Sequence, residues 1–127
     1  AWKRLHAIRA DYVAATAGFD AVICPTAANM PPNLDRLISD NTYYKASNLM
    51  TLRNTRVANL MGLAALTLPT GQPSTGLMLN TAPESEARLL RLGAAVAAAL
   101  MYAGRHQMKK RPAMRASLRK SGTLMIP

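Results

Sequence analysis

Side chains able to do chemistry are few and scattered in this sequence. His6 and His106 lie far apart, each among basic residues with no nucleophile placed beside it, so both read as surface histidines rather than general bases. Cys24 ends a short apolar run with no positive partner in view, and reads as a small buried hydrophobe at a strand end. Ser74, in Gln72-Pro73-Ser74-Thr75-Gly76, is explained by a hairpin turn and has no base next to it. No glycine-rich phosphate loop, paired metal-ligand histidines or nucleophile elbow occurs. The residues by themselves therefore predict no catalytic group, no metal and no cofactor.

Asn54, Thr55 and Asn59 are of more interest. They put amides and a hydroxyl on a segment that otherwise has a core-facing pattern, where each must find a partner or cost about 1–3 kcal/mol. They could serve a substrate, or they could bind neighbouring backbone and fix the loop 25–40.

Basic groups form the other candidate. Residues 1–100 carry 9 basic and 6 acidic groups, a net of +3, while residues 101–127 carry seven basic groups and no acid. Lys109, Lys110, Arg111, Arg115, Arg119 and Lys120 could bind nucleic-acid phosphates without sequence preference. The tail lacks base-stacking aromatics, and such charge runs are usually just solvated.

The elements that must position these residues follow from apolar spacing. Leu5, Ile8 and Tyr12 predict an amphipathic helix from Trp2 to Thr16, stopped near Gly18. Residues 19–24, cut off by Pro25, read as a buried strand, and 26–40, with Asn29, Pro31, Pro32, Asn33, Asp35 and Asp40, as mostly loop. The helical period returns from Thr42 and closes at Gly62. Ala65-Leu66-Thr67-Leu68 and Gly76-Leu77-Met78-Leu79 predict two antiparallel strands around a turn at 70–75. Thr81-Ala82-Pro83-Glu84 has capping-box spacing, with Glu84 and Arg88 four apart. The helix expected there is apolar almost all round from Leu89 to Tyr102, which predicts burial on more than one side. Beyond Gly104 the pattern dissolves into the basic tail 101–127, expected to be poorly ordered.

The result is an α/β chain with helices packed on a small mixed sheet and no internal repeat. At 127 residues, 50% apolar and 17% charged, it is one domain with an aliphatic core, not a disordered linker. The helix and strand faces nevertheless call for more covering protein than this length supplies. One cysteine excludes an internal disulfide or a cysteine-built zinc site, which fits a reducing, cytoplasmic setting. No uninterrupted apolar run approaches about 20 residues, Leu92 to Ala103 being the longest, so no membrane partner is expected. Lys3, Arg4, His6 and Arg9 break any secretory signal at the start.

The block Arg53-Asn54-Thr55-Arg56-Val57-Ala58-Asn59-Leu60-Met61-Gly62-Leu63-Ala64-Ala65-Leu66-Thr67-Leu68-Pro69-Thr70-Gly71, followed by Gly76-Leu77-Met78-Leu79, resembles the C-terminal part of the amidase signature family. Phe19-Asp20-Ala21-Val22-Ile23-Cys24-Pro25-Thr26 upstream and Ala87-Arg88-Leu89-Leu90-Arg91-Leu92-Gly93-Ala94-Ala95 downstream extend the resemblance over residues 1–100, in order and at the right spacing. It implies an enzyme that hydrolyses carboxylic amide C–N bonds, built on a large mixed sheet with surrounding helices and using a Ser, cis-Ser, Lys triad.

In that family the triad lies N-terminal to the matched segments, and Lys3, Lys45, Lys109, Lys110 and Lys120 match no catalytic position. The resemblance therefore implies a C-terminal remnant or truncated product of a longer amidase, inactive alone, whose partner is the missing N-terminal catalytic portion. Ala1, falling inside a family helix, points the same way. Such a piece would supply one pocket wall: the loop 25–32 with Thr26, and the segment bearing Asn54, Thr55 and Asn59. Two departures stand out. Leu52 and Arg53 replace the acid of glutamine-handling relatives, which argues against an amino-acid amide substrate, and residues 101–127 match nothing in the family. The competing readings are a small nucleic-acid-binding protein using 105–120, and a homo-oligomer driven by exposed apolar faces.

Overall fold

The computed structural model describes residues 1–109. Helix α1, Trp2–Thr16, leads into strand β1, Val22–Pro25. Helices α2 (Leu34–Ser39), α3 (Asn41–Thr51) and α4 (Thr55–Met61) follow, then strands β2 (Ala64–Pro69) and β3 (Gly76–Thr81) and the long helix α5 (Glu86–Lys109). Helices on one sheet were the expected layers, but the expected mixed sheet is corrected. The strand order is β1-β3-β2, and β3 is antiparallel to both neighbours, so every pairing among the described residues is antiparallel. The turn at 70–75 returns β3 alongside β2 and inserts it between β2 and β1. The two strands that run in the same direction therefore never touch.

The hairpin turn forms as its residues demand, with Gly71 at φ 79° and the Thr70 and Thr75 hydroxyls bonded across it. Central position buries β3 on both faces: Met78, Leu79, Asn80 and Thr81 are all buried. Leu79, opposite Ile23 and Leu66, joins Ala64 and Leu89 in the core, with Leu66, Leu68 and Val96 packed around them. Helix α5 seats this closely because of Gly93, where an added Cβ would collide with the Leu66 side chain.

Helix α5 is buried on one stripe only, against the expectation of several sides. Leu89 and Gly93 are buried and Val96 partly so, while Leu90, Met101 and Tyr102 are more than 60% exposed. A single three-stranded sheet offers one face, so the remaining apolar surface faces outward. The helix also runs to Lys109, past Gly104. Its segment Glu86–Gly104, with mean hydropathy 1.3, is long and apolar enough to cross a membrane. Counting only uninterrupted runs missed this, because Arg91 divides the segment.

Three local expectations change. Helix α2 arises inside the presumed loop because Asn33 caps it, its Oδ1 accepting from the Arg36 amide at 2.9 Å. Asp40 caps α3 in the same way through the Tyr43 amide. The single helix expected over 42–62 is broken at Leu52-Arg53-Asn54, and Gly62, at φ 70°, closes α4 as predicted. The capping box does not form. Thr81 pairs with Ala64 in the sheet, and Ser85, whose hydroxyl donates to Thr81, precedes the first residue of α5. Arg88 pairs with Asp20 instead of Glu84.

Candidate functional site

The end of β1 and the start of α4 meet through two of the predicted residues. Asn54 Nδ2 donates to the Pro25 carbonyl at 2.7 Å, and the break between α3 and α4 places the amide to do so. Thr26 follows at once: its amide donates to the Gly76 carbonyl at 2.9 Å and its hydroxyl to Thr67 Oγ1 at 3.2 Å. Gly76 permits this approach, since a Cβ there would lie 2.8 Å from Thr26 Oγ1. Thr26 is thus held on the hairpin, and Asn54 fastens the helix to the same loop.

Thr55 spends its hydroxyl on the Leu52 carbonyl at 3.3 Å. The Asn59 side chain, exposed on α4, makes no hydrogen bond among the described residues. Thr55 and Asn59 line an open groove with Leu52, Arg56, Leu63 and Ala65. Arg56 and Asn59 are three apart and share a helix face, so the groove presents a guanidinium and a free amide side by side. That pair can hold and orient a carboxylate or carbonyl oxygen. The structure therefore brings Thr26 and Asn54 to one loop junction and Thr55 and Asn59 to the adjoining groove.

Sequence reasoning missed two contributors here. Asn29 reaches from the loop to Thr51 at 3.1 Å, and the Thr51 hydroxyl in turn donates to the Ser47 carbonyl at 2.8 Å. Polar residues in a proline-rich stretch carried no signal of this pairing. Arg56 was visible only as part of a motif, although its spacing to Asn59 marked it. Cys24, expected to be buried, is only half-buried. Among the described residues the serine hydroxyls with hydrogen bonds, Ser39 and Ser85, donate to the Asp35 carbonyl and to Thr81, and neither meets a lysine. Lys109 closes α5; Lys110, Arg111, Arg115, Arg119 and Lys120 lie outside the described residues.

An amidase family model matches residues 1–90, taking in β1, the α4 groove and the whole hairpin. The chain belongs to the amidase family. A 2-amino-5-chloromuconic acid deaminase of Comamonas testosteroni is 36% identical over 83 residues, 62% of this chain and 18% of that relative. No solved structure matches. The amidase match thus covers the elements that assemble the groove, and the chain spans under a fifth of the length of this curated relative.

Proposed function

We propose that this chain is the scaffold and one substrate-pocket wall of an amidase-type hydrolase acting on carboxylic amide C–N bonds, and that it forms the C-terminal part of the amidase signature fold. The bond-breaking serine pair and lysine belong to a separate portion that packs against it. The observation that carries this reading is the amidase match over residues 1–90 in a chain equivalent to 18% of its relative. Acyl transfer needs a nucleophile, a base within hydrogen-bond reach and donors for the oxyanion. The Asn54–Pro25 junction and the Arg56–Asn59 face offer binding and orientation without the first two.

The apolar surface supports the same reading. The buried cluster holds Ala64, Leu79 and Leu89, while Trp2, Phe19, Ile23 and Leu90 are each more than 60% exposed. Large exposed apolar side chains on α1, β1 and α5 suit a covering protein layer. In this role Thr26, Asn54, Thr55 and Asn59 shape the wall, and Arg56 and Asn59 contact an oxygen of the substrate.

The reading is tested by joining residues 1–127 to the N-terminal portion of the Comamonas relative that ends where the matched segment begins. Restored amide or deaminase turnover, lost again when Arg56 and Asn59 are both changed to Ala, is the expected outcome. A soluble hybrid whose turnover ignores both substitutions contradicts the assignment of the wall.

A further inference from the structure

Helix α5 is longer than the sheet it packs on. Its 24 residues span about 36 Å at ~1.5 Å per residue, whereas β2 and β3, of six residues each, reach only about 20 Å at ~3.3 Å per residue. Among the described residues of α5, Val96 is the last packed against the buried cluster, and every residue from Met101 to Gly104 is exposed. This overhang begins apolar. Met101 is 67% and Tyr102 63% exposed, and Ala98, exposed one turn earlier, lies on the same side of the helix.

The charge beyond it is of one sign. Arg105 and Lys109 follow at four-residue spacing, and residues 101–127 hold seven basic side chains and no acid. Met108, Met114 and Leu118 stand between the charges, and no aromatic residue follows Tyr102. Nucleic acid calls for rings on which bases stack, whereas aliphatic side chains among cations suit a surface that is anionic outside and hydrocarbon beneath. Tyr102, with an apolar ring and a polar tip, marks the junction of the apolar and basic sequence, as aromatic residues do at a headgroup boundary.

We propose that the C-terminal end of α5 and the basic segment after it dock on an anionic phospholipid surface, contrary to the expectation of no membrane partner. The helix lies on the surface and does not cross it: Leu89 and Gly93 seat it on the sheet, Arg88 pairs with Asp20, and Arg91 divides the apolar stretch. Met101 and Tyr102 enter the headgroup boundary while the lysines and arginines meet lipid phosphates. Protein packed on the sheet covers the seated part of α5 and leaves this end to the lipid. The inference is independent of the substrate-pocket reading, since lipid binding is measured without turnover.

The test is co-sedimentation of the full 127-residue chain with vesicles. Vesicles of equal parts phosphatidylcholine and phosphatidylglycerol should retain it, and pure phosphatidylcholine should bind it roughly tenfold or more weakly, because each nearby cation adds to the attraction of an anionic surface. Raising the salt concentration should weaken the anionic binding. Replacing Met101 and Tyr102 together with Gln removes apolar contact without changing charge, and should weaken binding about tenfold or more. Both side chains are exposed, so the variant should melt at the temperature of the parent. Equal binding of the parent chain to both vesicles, binding untouched by the double substitution, or a chain that binds single-stranded RNA but neither vesicle would each overturn the proposal. Self-association through Met101 and Tyr102 without any lipid binding would do the same.

Discussion

Asn54 and Pro25 are 29 residues apart, and one 2.7 Å hydrogen bond from side-chain amide to carbonyl fixes the start of α4 to the end of β1. That contact sets where the groove helix stands relative to the sheet. Replacing Asn54 with Ala removes the donor from a solvent-exposed bond, so stability should fall by about 0.5–1.5 kcal/mol in urea denaturation. Asn59→Ala, which breaks no hydrogen bond among the described residues, should stay within about 0.5 kcal/mol of the parent.

The two glycines of α5 should respond oppositely. Alanine at Gly93 collides with Leu66, and overpacking of this kind costs about 1–3 kcal/mol. Alanine at Gly104 meets open space and should stabilise by up to about 1 kcal/mol through helix propensity. Thermal melts of the two variants check the contrast, and equal shifts would mean that α5 is not seated on β2 as described.

Tyr12 gives an alkaline signature. Its folded pKa is raised, first by burial and then by Cys24, so above pH 10.0 the unfolded chain loses its proton before the folded chain does. The stability contribution is complete below pH 10.0 and declines as pH rises through the folded value. Denaturation midpoints measured across this range should fall in the parent, with a shallower fall in Tyr12→Phe.

The Asp20–Arg88 pair is exposed on both sides, at 76% and 53% of the side chains. Asp20→Asn should therefore cost less than about 1 kcal/mol, and the difference should shrink in high salt.

Much of this architecture was legible because it is local. The apolar run ended by Pro25, the turn at 70–75 and the Gly62 cap each announce their conformation within a few residues. What escaped depends on distant partners or on competing local signals. Asn33 capping of α2 was masked by prolines on its N-terminal side, and Thr81 mimicked a helix cap while its place was decided by pairing with Ala64. The burial of α5 was misjudged because composition records apolarity, whereas coverage depends on how much sheet is present to cover it. For the site, Asn54 and Thr55 stand out in the sequence as polar groups among apolar neighbours. Their backbone partners, the Pro25 and Leu52 carbonyls, correspond to the simpler of the two readings. Arg56, which faces the groove beside Asn59, carried no such contrast in a basic chain.

The central claim is that these residues position substrate while another portion breaks the bond. Purified chain incubated with a panel of aryl and aliphatic amides, with released amine or ammonia measured over time, tests it most directly. The account predicts no release above the uncatalysed rate. Turnover that titrates with the chain and disappears on modification of one of its own serines would contradict it.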